Sequence, residues 1–172
     1  MTQALYILLA IGVGFGAAFQ TGMIASLGRS KGPTEATWIS LLATFGAIAL
    51  AFALASLRSK PPALPPPFDN VIVFAVVGSM AAVALLVSLR GLSPILGLTG
   101  LFGFAYLMSA GFLAPRVGIA LFASAVTAGT LIGSVALDHV GAFGADVQRV
   151  GVVRAAGLAA LILGVVLVRT GR

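Results

Sequence analysis

The sequence predicts an all-α membrane protein, a bundle of five or six transmembrane helices with almost no soluble part. Hydrophobic residues occupy 60% of the 172 positions and charged residues only 8%, and the mean hydropathy is +1.15. A soluble domain of this length carries roughly a quarter of its residues charged. The apolar residues also form runs of about 20, the length that crosses roughly 30 Å of hydrocarbon. The surface of this protein is therefore expected to face lipid.

The first run begins at the N-terminus, where Met1 to Gln3 carries no Lys or Arg, so it is interpreted as a span and not as a cleaved signal. Arg29 to Pro33 interrupts it, and Arg58 and Lys60 close the second run. Residues 61–67 are rich in proline, cannot be helical, and form a short extended linker. A single domain of residues 1–172 is expected, with spans at about 4–27, 34–57, 70–89, 93–114, 117–137 and 150–168.

The later spans end at polar or proline-containing turns: Arg90 ends the third, Pro115-Arg116 the fourth, and Asp138-His139 the fifth. Arg154 lies one turn inside the sixth run, where an arginine can reach the interface by snorkelling. Whether the third run, residues 70–89, crosses the membrane is left open by the sequence, and the predicted number of spans is therefore five or six. The runs lack a period of two, so a transmembrane β-barrel is not predicted.

Small residues recur at spacings that allow close helix packing. Gly12 and Gly16 form a small-xxx-small pair, and so do Gly129 and Gly133. Such pairs let backbones approach where lipid offers no hydrophobic drive for association. The alternative is that glycine is simply common in membrane helices. Together the pairs favour a compact bundle.

The formal charge of +6 does not indicate a nucleic-acid partner, because the ten basic residues stand singly or in pairs between apolar runs. They are typical of helix-end anchors at lipid headgroups. With six spans they divide evenly between the two sides of the membrane, so the positive-inside rule gives no orientation. Either this balance is chance, or copies insert both ways and pair as an antiparallel homodimer. One side carries Arg58, Lys60, Arg116, Arg169 and Arg172, and the other carries Arg29, Lys31, Arg90, Arg149 and Arg154.

Residues for catalysis are scarce, and neither an enzyme, a metal site nor a cofactor is predicted. His139 is the single histidine, it stands beside Asp138, and there is no cysteine. No second histidine or carboxylate cluster has metal-ligand spacing. A polar pair at the end of a span is the ordinary interpretation of Asp138-His139, and a proton or substrate gate is the alternative.

Polar residues inside the spans are the candidates for a substrate pathway. Those of the fifth span recur every three or four residues and share one helix face. Such a stripe turns away from lipid, either to bond a neighbouring helix or to line a translocation path. No Asp or Glu lies at mid-depth, which counts against a proton-coupled exporter of organic cations of the small multidrug resistance type. The stripe comprises Ser124, Thr127, Thr130, Ser134 and Asp138, and the first and fourth spans add Gln20 and Tyr106.

Several motifs resemble the YdcZ-type inner-membrane proteins of the drug/metabolite transporter superfamily, over most of the chain apart from about residues 61–92. The most specific is the turn Asp138-His139-Val140-Gly141. The other motifs are Phe19-Gln20, Ala25-Ser26-Leu27-Gly28, Gly32-Pro33 with Ala36, Gly100 to Tyr106, Pro115-Arg116-Val117-Gly118, Gly129 to Ser134, and Gly157 to Val168.

The resemblance implies a half-sized transporter, usually of five spans, that pairs or fuses into a ten-helix unit in the bacterial inner membrane. This chain departs from the family at three places. Ile24 stands where an asparagine is common, Thr130 stands where a glutamine is common, and the third span looks like an insertion. The chain therefore carries a different ligand from its relatives, or none.

The leading functional hypothesis is a small-molecule exporter working by alternating access in a homodimer. Gln20, Tyr106, Thr127, Thr130 and Asp138 are its candidate pathway residues: the Gln20 amide would exchange hydrogen bonds with the solute, and the hydroxyls would line the path. The alternative is a non-transporting structural subunit of a larger membrane complex. The expected partners are accordingly lipid, a small-molecule substrate, and a second copy or larger chains.

Overall fold

A computed structural model describes residues 3–58 and 63–171, and within them the prediction of an all-α membrane protein is confirmed. Six helices in this part are long and apolar enough to cross a membrane, and no strand occurs there. Part of the predicted linker, with Lys60, lies outside the described residues, as does Arg172. The helices are α1 (Gln3–Lys31), α2 (Pro33–Leu57), α3 (Val71–Ser88), α4 (Thr99–Val117), α5 (Ile119–Val140) and α6 (Val152–Thr170). Short 3₁₀ segments at Pro94–Leu98 and Ala142–Gly144 precede α4 and follow α5.

Two glycines in the left-handed half of conformational space separate consecutive helices by a single residue. Gly32 (φ 99°) stands between α1 and α2, and Gly118 (φ 85°) between α4 and α5. An L side chain at such a φ is strained, so glycine is the residue that permits these abrupt breaks. Helix α5 ends at Gly141, a left-handed C-cap with φ 62°.

These glycines shift three predicted boundaries. Helix α1 continues past Leu27 to Lys31, because the break falls at Gly32. The fourth helix ends at Val117, not before Pro115, which lies in its last turn. A proline there loses the bond to the carbonyl four residues earlier and crowds it, and the helix continues for only two residues beyond it. Asp138 likewise belongs to the last turn of α5.

The chain forms two compact units, one of residues 1–26 with 105–172 and the other of residues 27–104. Whether they behave as one domain stays a prediction. In the second unit, α2 and α3 pack antiparallel. A methyl carbon added at Gly78 would lie 3.3 Å from Ala49 Cβ, and the Phe52 and Phe74 rings meet edge to face at 5.4 Å.

In the first unit, α1 and α5 run parallel and touch through their backbones. A methyl carbon added at Gly14 would lie 2.0 Å from the Val126 carbonyl oxygen, and one added at Gly129 would lie 2.0 Å from the Ile11 carbonyl oxygen. The small residues form two facing stripes of spacing four, which are the buried residues Ala10, Gly14 and Ala18 on α1 and Ala125, Gly129 and Gly133 on α5.

Of the four glycines predicted to pack between helices, the structure places two at this contact. Gly129 and Gly133 lie at the contact, with Ala18 Cβ 2.8 Å from a methyl carbon added at Gly133. Gly12 is exposed and has no atom within 4 Å of an added methyl carbon, and Gly16 is half-buried. Gly14, between them, is the glycine of α1 that meets α5.

Beside this contact, an apolar cluster joins the start of α1 to the end of α4 and the start of α5. Leu121 and Ala125 are fully buried there, next to Val117 and Leu113. The Tyr6 and Phe112 rings pack edge to face with centroids 6.4 Å apart. Helix α6, by contrast, has no buried residue. The first unit is therefore tightly packed around α1 and α5 and open along α6.

We predict that Gly129→Ala lowers the free energy of unfolding by about 1–3 kcal/mol, the usual cost of overpacking, because its methyl would overlap the Ile11 carbonyl. Gly12→Ala is the matched control: it meets open space and should be neutral or stabilising by roughly 0.5–1 kcal/mol. Unfolding in mixed detergent micelles, followed by circular dichroism, measures both. Equal stability of the two variants would contradict the backbone contact.

Candidate functional site

The candidate pathway residues of the first unit lie at successive depths along α5. The Tyr106 ring meets the Phe122 ring near the start of α5, with centroids 6.4 Å apart. Thr127 and Thr130 lie in the middle of α5, and Asp138 lies in its last turn. At about 1.5 Å per residue, the distance along the axis from Phe122 to Asp138 is roughly 24 Å. These residues cannot surround one small solute together, and could meet it only in succession.

Gln20 is half-buried on α1, near the last turns of α5. Its neighbours in sequence fix this depth: Ala18 meets Gly133, and Gly22 meets the ring of Phe143, which follows α5. The Gln20 amide therefore lies close to the depth of Asp138 and far from that of Tyr106.

The hydroxyls of α5 divide between two neighbouring helices. The Ser124 hydroxyl donates to the Ala120 carbonyl at 2.7 Å, and the Thr130 hydroxyl donates to the Val126 carbonyl at 2.9 Å. Thr130 lies at the contact with α1, where its backbone nitrogen is 2.8 Å from a methyl carbon added at Gly14. Exposed Thr127 instead lines a groove with Ser124 on the α6 side.

That groove runs between α5 and α6 and has a volume of about 450 Å³. Ala160 and Gly164 of α6 line it with Ser124 and Thr127 of α5, and the rest of the lining is apolar: Ala123, Leu161, Val165 and Val168. Nothing lies within 4 Å of a methyl carbon added at Gly164. The first unit therefore has an open groove at mid-depth, bordered by two hydroxyl residues.

Asp138 belongs to a polar cluster that joins the end of α5 to the start of α6. Arg154 Nη1 lies 3.5 Å from Asp138 Oδ2, and Arg154 Nη2 donates to Gln148 Oε1. The Gln148 N–H donates to the Asp138 carbonyl at 2.9 Å, and the Val150 N–H donates to His139 Nδ1 at 3.4 Å. The Asp138 and Arg154 side chains are 41% and 39% exposed, which is the environment of an interfacial pair.

The turn after α5 carries a feature that the sequence pattern did not reveal. Phe143 has φ 58° and ψ 26°, a left-handed conformation that a bulky residue rarely adopts. Its ring packs on the backbone of Gly22 and edge to face with Phe19, at a centroid distance of 6.0 Å. Gly22 permits this contact, because a methyl carbon there would lie 2.6 Å from Phe143 Cδ2.

Among the residues that the structure describes, no group of three or more His, Cys, Asp or Glu side chains could hold a metal ion. The polar groups described above are an amide, hydroxyls and the ion pair of Asp138 with Arg154 at the end of α5. Such groups can bind and release a polar solute.

Six apolar helices with sparse internal polar residues define a polytopic integral membrane protein. Residues 70–167 match the model of a protein family described as "Putative inner membrane exporter, YdcZ". The match covers more than half of the chain, and the chain belongs to the YdcZ family. It is an integral inner-membrane protein of a transporter family, not of an enzyme family. In comparisons with curated proteins and with solved structures, nothing matches.

The position of the match corrects one detail of the resemblance. Residues 70–92, which the resemblance set aside, fall inside the matched range, so the interpretation of α3 as an insertion was wrong. The motif Asp138-His139-Val140-Gly141 also lies inside it. The motifs of the first helix pair, including Phe19-Gln20, precede the match, and their resemblance stays a prediction.

We predict a weak interaction between Asp138 and Arg154. In a double-mutant cycle of Asp138→Asn and Arg154→Gln, the coupling energy should not exceed about 1 kcal/mol, because both side chains are substantially exposed. The free energies of unfolding of the four proteins in detergent give this value. A coupling of several kcal/mol would mean that the pair is desolvated, which is the environment of a buried gate.

Proposed function

We propose that this chain is one half of an exporter of small polar solutes, which works by alternating access in a homodimer. The observation that carries the proposal is the membership of the chain in an inner-membrane exporter family. The polar residues of the first unit support it, since they occur at several depths of the hydrocarbon. The proposed mechanism is that of the drug/metabolite transporters, in which a solute site opens to each side of the membrane in turn.

Hydrogen bonding is the proposed mode of solute recognition. The Gln20 amide can both donate and accept, and Thr127 offers a hydroxyl in an open groove. Neither Asp nor Glu lies within the central turns of α1, α4 or α5, so a fixed negative charge is not available there to attract a cation. A neutral polar solute fits this set of groups best.

The exposure of α6 within one chain supports a second copy of the protein as its partner. None of its residues is buried within one chain, and small residues on α5 and α6 leave the groove between them open. Small residues are where membrane helices approach closely. The balanced basic residues add a second argument, because they allow copies of both orientations and therefore an antiparallel pair.

Hinges are available for the rocking motion that alternating access requires. Gly32 and Gly118 each form a one-residue break between long helices. Breaks of this kind can absorb changes of backbone angle while the helices move as rigid bodies. The same breaks keep α1 with α2, and α4 with α5, covalently close during the motion.

We predict that Gln20→Ala impairs export without unfolding the protein. Everted inner-membrane vesicles are loaded from a mixture of small polar metabolites, and mass spectrometry identifies the solutes accumulated only when the protein is present. Purified variants in proteoliposomes are then compared for flux of that solute. Removing the Gln20 amide should reduce it by roughly tenfold, the effect of about 1.4 kcal/mol.

Thr21→Ala is the matched control, since Thr21 is exposed and its hydroxyl is bonded within the helix to the Ala17 carbonyl. It should leave the flux unchanged. Wild-type flux in the Gln20→Ala protein would refute the proposed role of this residue.

We predict that copies insert in both orientations. C-terminal fusions to one reporter active only in the cytoplasm and to another active only outside it should both give signal. Replacing Lys31 and Arg90 by alanine removes two positive charges from one side and should move the population toward one orientation. A single orientation for every wild-type copy would end the antiparallel arrangement.

A further inference from the structure

The hydroxyl of Thr99 is a polar group that the pathway of the first unit does not include. Thr99 is fully buried at the start of α4, and its Oγ1 has no hydrogen-bond partner among the described residues. Other threonine hydroxyls are hydrogen-bonded within their own helix: those of Thr37, Thr44 and Thr130 donate to the carbonyl four residues earlier. Thr99 follows a 3₁₀ segment instead of an α-helical turn and makes no such bond.

The depth of Thr99 makes this hydroxyl unusual. The next residue, Gly100, lies directly on α2, because a methyl carbon there would be 1.9 Å from the Ala43 carbonyl carbon and 2.4 Å from the Thr44 nitrogen. Ala43 and Thr44 lie within two residues of Phe45, the middle of α2. Thr99 is therefore level with the middle turns of α2 and lies five residues after the start of the span Pro94–Val117, where hydrocarbon supplies no water to satisfy it.

The backbone before Thr99 is irregular at membrane depth. The candidate span Pro94–Val117 begins with the 3₁₀ segment Pro94–Leu98. Gly97 of this segment packs against Leu89, with 2.9 Å between an added methyl carbon and Leu89 Cδ1. Interrupted helices are tolerated at this depth only inside protein or beside a cavity, and in transporters they carry the solute sites.

We propose that the Thr99 hydroxyl is a hydrogen-bonding contact for a neutral polar solute, and that it becomes accessible when the 3₁₀ segment Pro94–Leu98 moves relative to α2. The inference rests on the proposed export function and adds a second contact point in the unit of residues 27–104. Buried Ser40 lies on the same face of α2 as Ala43 and Thr44 and would share the site. No charged residue occurs in 36–57, 71–89 or 91–104, so a neutral solute group suits it best.

Cysteine labelling tests this access, because the natural chain contains no cysteine. Thr99→Cys and Ser40→Cys proteins in liposomes are treated with N-ethylmaleimide, which reacts with the thiolate and therefore requires water at the site. Ala49→Cys is the control, since Ala49 is equally buried but packs against Gly78 within the α2–α3 pair. Circular dichroism confirms that each variant is folded.

We expect Thr99→Cys to be labelled at least about tenfold faster than Ala49→Cys, because only a thiol that reaches water forms the reactive thiolate. Labelling as slow as that of Ala49→Cys would overturn the proposal and leave Thr99 sealed in helix packing. This result does not depend on the flux measurement. Absence of wild-type export would overturn the proposed function, while slow labelling with normal export would overturn only the role of Thr99.

Thr99→Val gives a second measurement that does not introduce a thiol. Valine has the shape of threonine without the hydroxyl, so it should raise the melting temperature of the protein in detergent. Thr99→Ser keeps the hydroxyl and should not raise it. A lower melting temperature for Thr99→Val than for Thr99→Ser would show that the hydroxyl already has a structural partner, and would contradict the proposal.

Discussion

The structure depends on one constraint: the solvent of these helices is hydrocarbon, so burying apolar side chains gives little drive for helices to associate. Association then depends on close van der Waals contact, and the chain makes this contact possible by placing glycine and alanine where two helices meet. The stripe of Ala10, Gly14 and Ala18 lets α1 meet α5 backbone to backbone. In the other unit, Gly100 does the same for α4 and α2. Dispersion contacts between densely packed backbones replace the hydrophobic effect of soluble cores.

The same constraint explains where polar groups occur. A hydroxyl in hydrocarbon bonds within its own helix, as Thr130 does, or it marks a place where something else must satisfy it. Thr99 has no such bond. Among the described residues, the charged ones lie at helix ends and in the connecting segments, and the pair of Asp138 with Arg154 ties α5 to α6 where water is within reach. Among the described residues, the polar side chains inside the spans are therefore the Gln20 amide and several hydroxyls, suited to weak and reversible contact with a solute.

Fold class and number of helices could be predicted from the sequence because span length and hydropathy are properties of single segments. The sequence could not show which glycine of α1 packs against another helix. Gly12, Gly14 and Gly16 point in different directions around α1, and the position of the partner helix decides among them. The stripe from Ser124 to Asp138 was visible as a period, but its division between α1 and α6 depends on tertiary contacts. Thr99 was missed because nothing in the local sequence distinguishes a 3₁₀ turn from the first turn of α4. The pairing of Asp138 with Arg154 depends on how the intervening loop folds.

We propose that two copies complete the exporter, because no residue of α6 is fully buried within one chain. The mass of the intact assembly in mild detergent distinguishes the homodimer from the alternatives. We expect a species of twice the 17.3 kDa of one chain, plus bound lipid and detergent. A stoichiometric assembly with larger, unrelated chains would contradict it and would favour a structural subunit of a membrane complex. A stable monomer would contradict it as well.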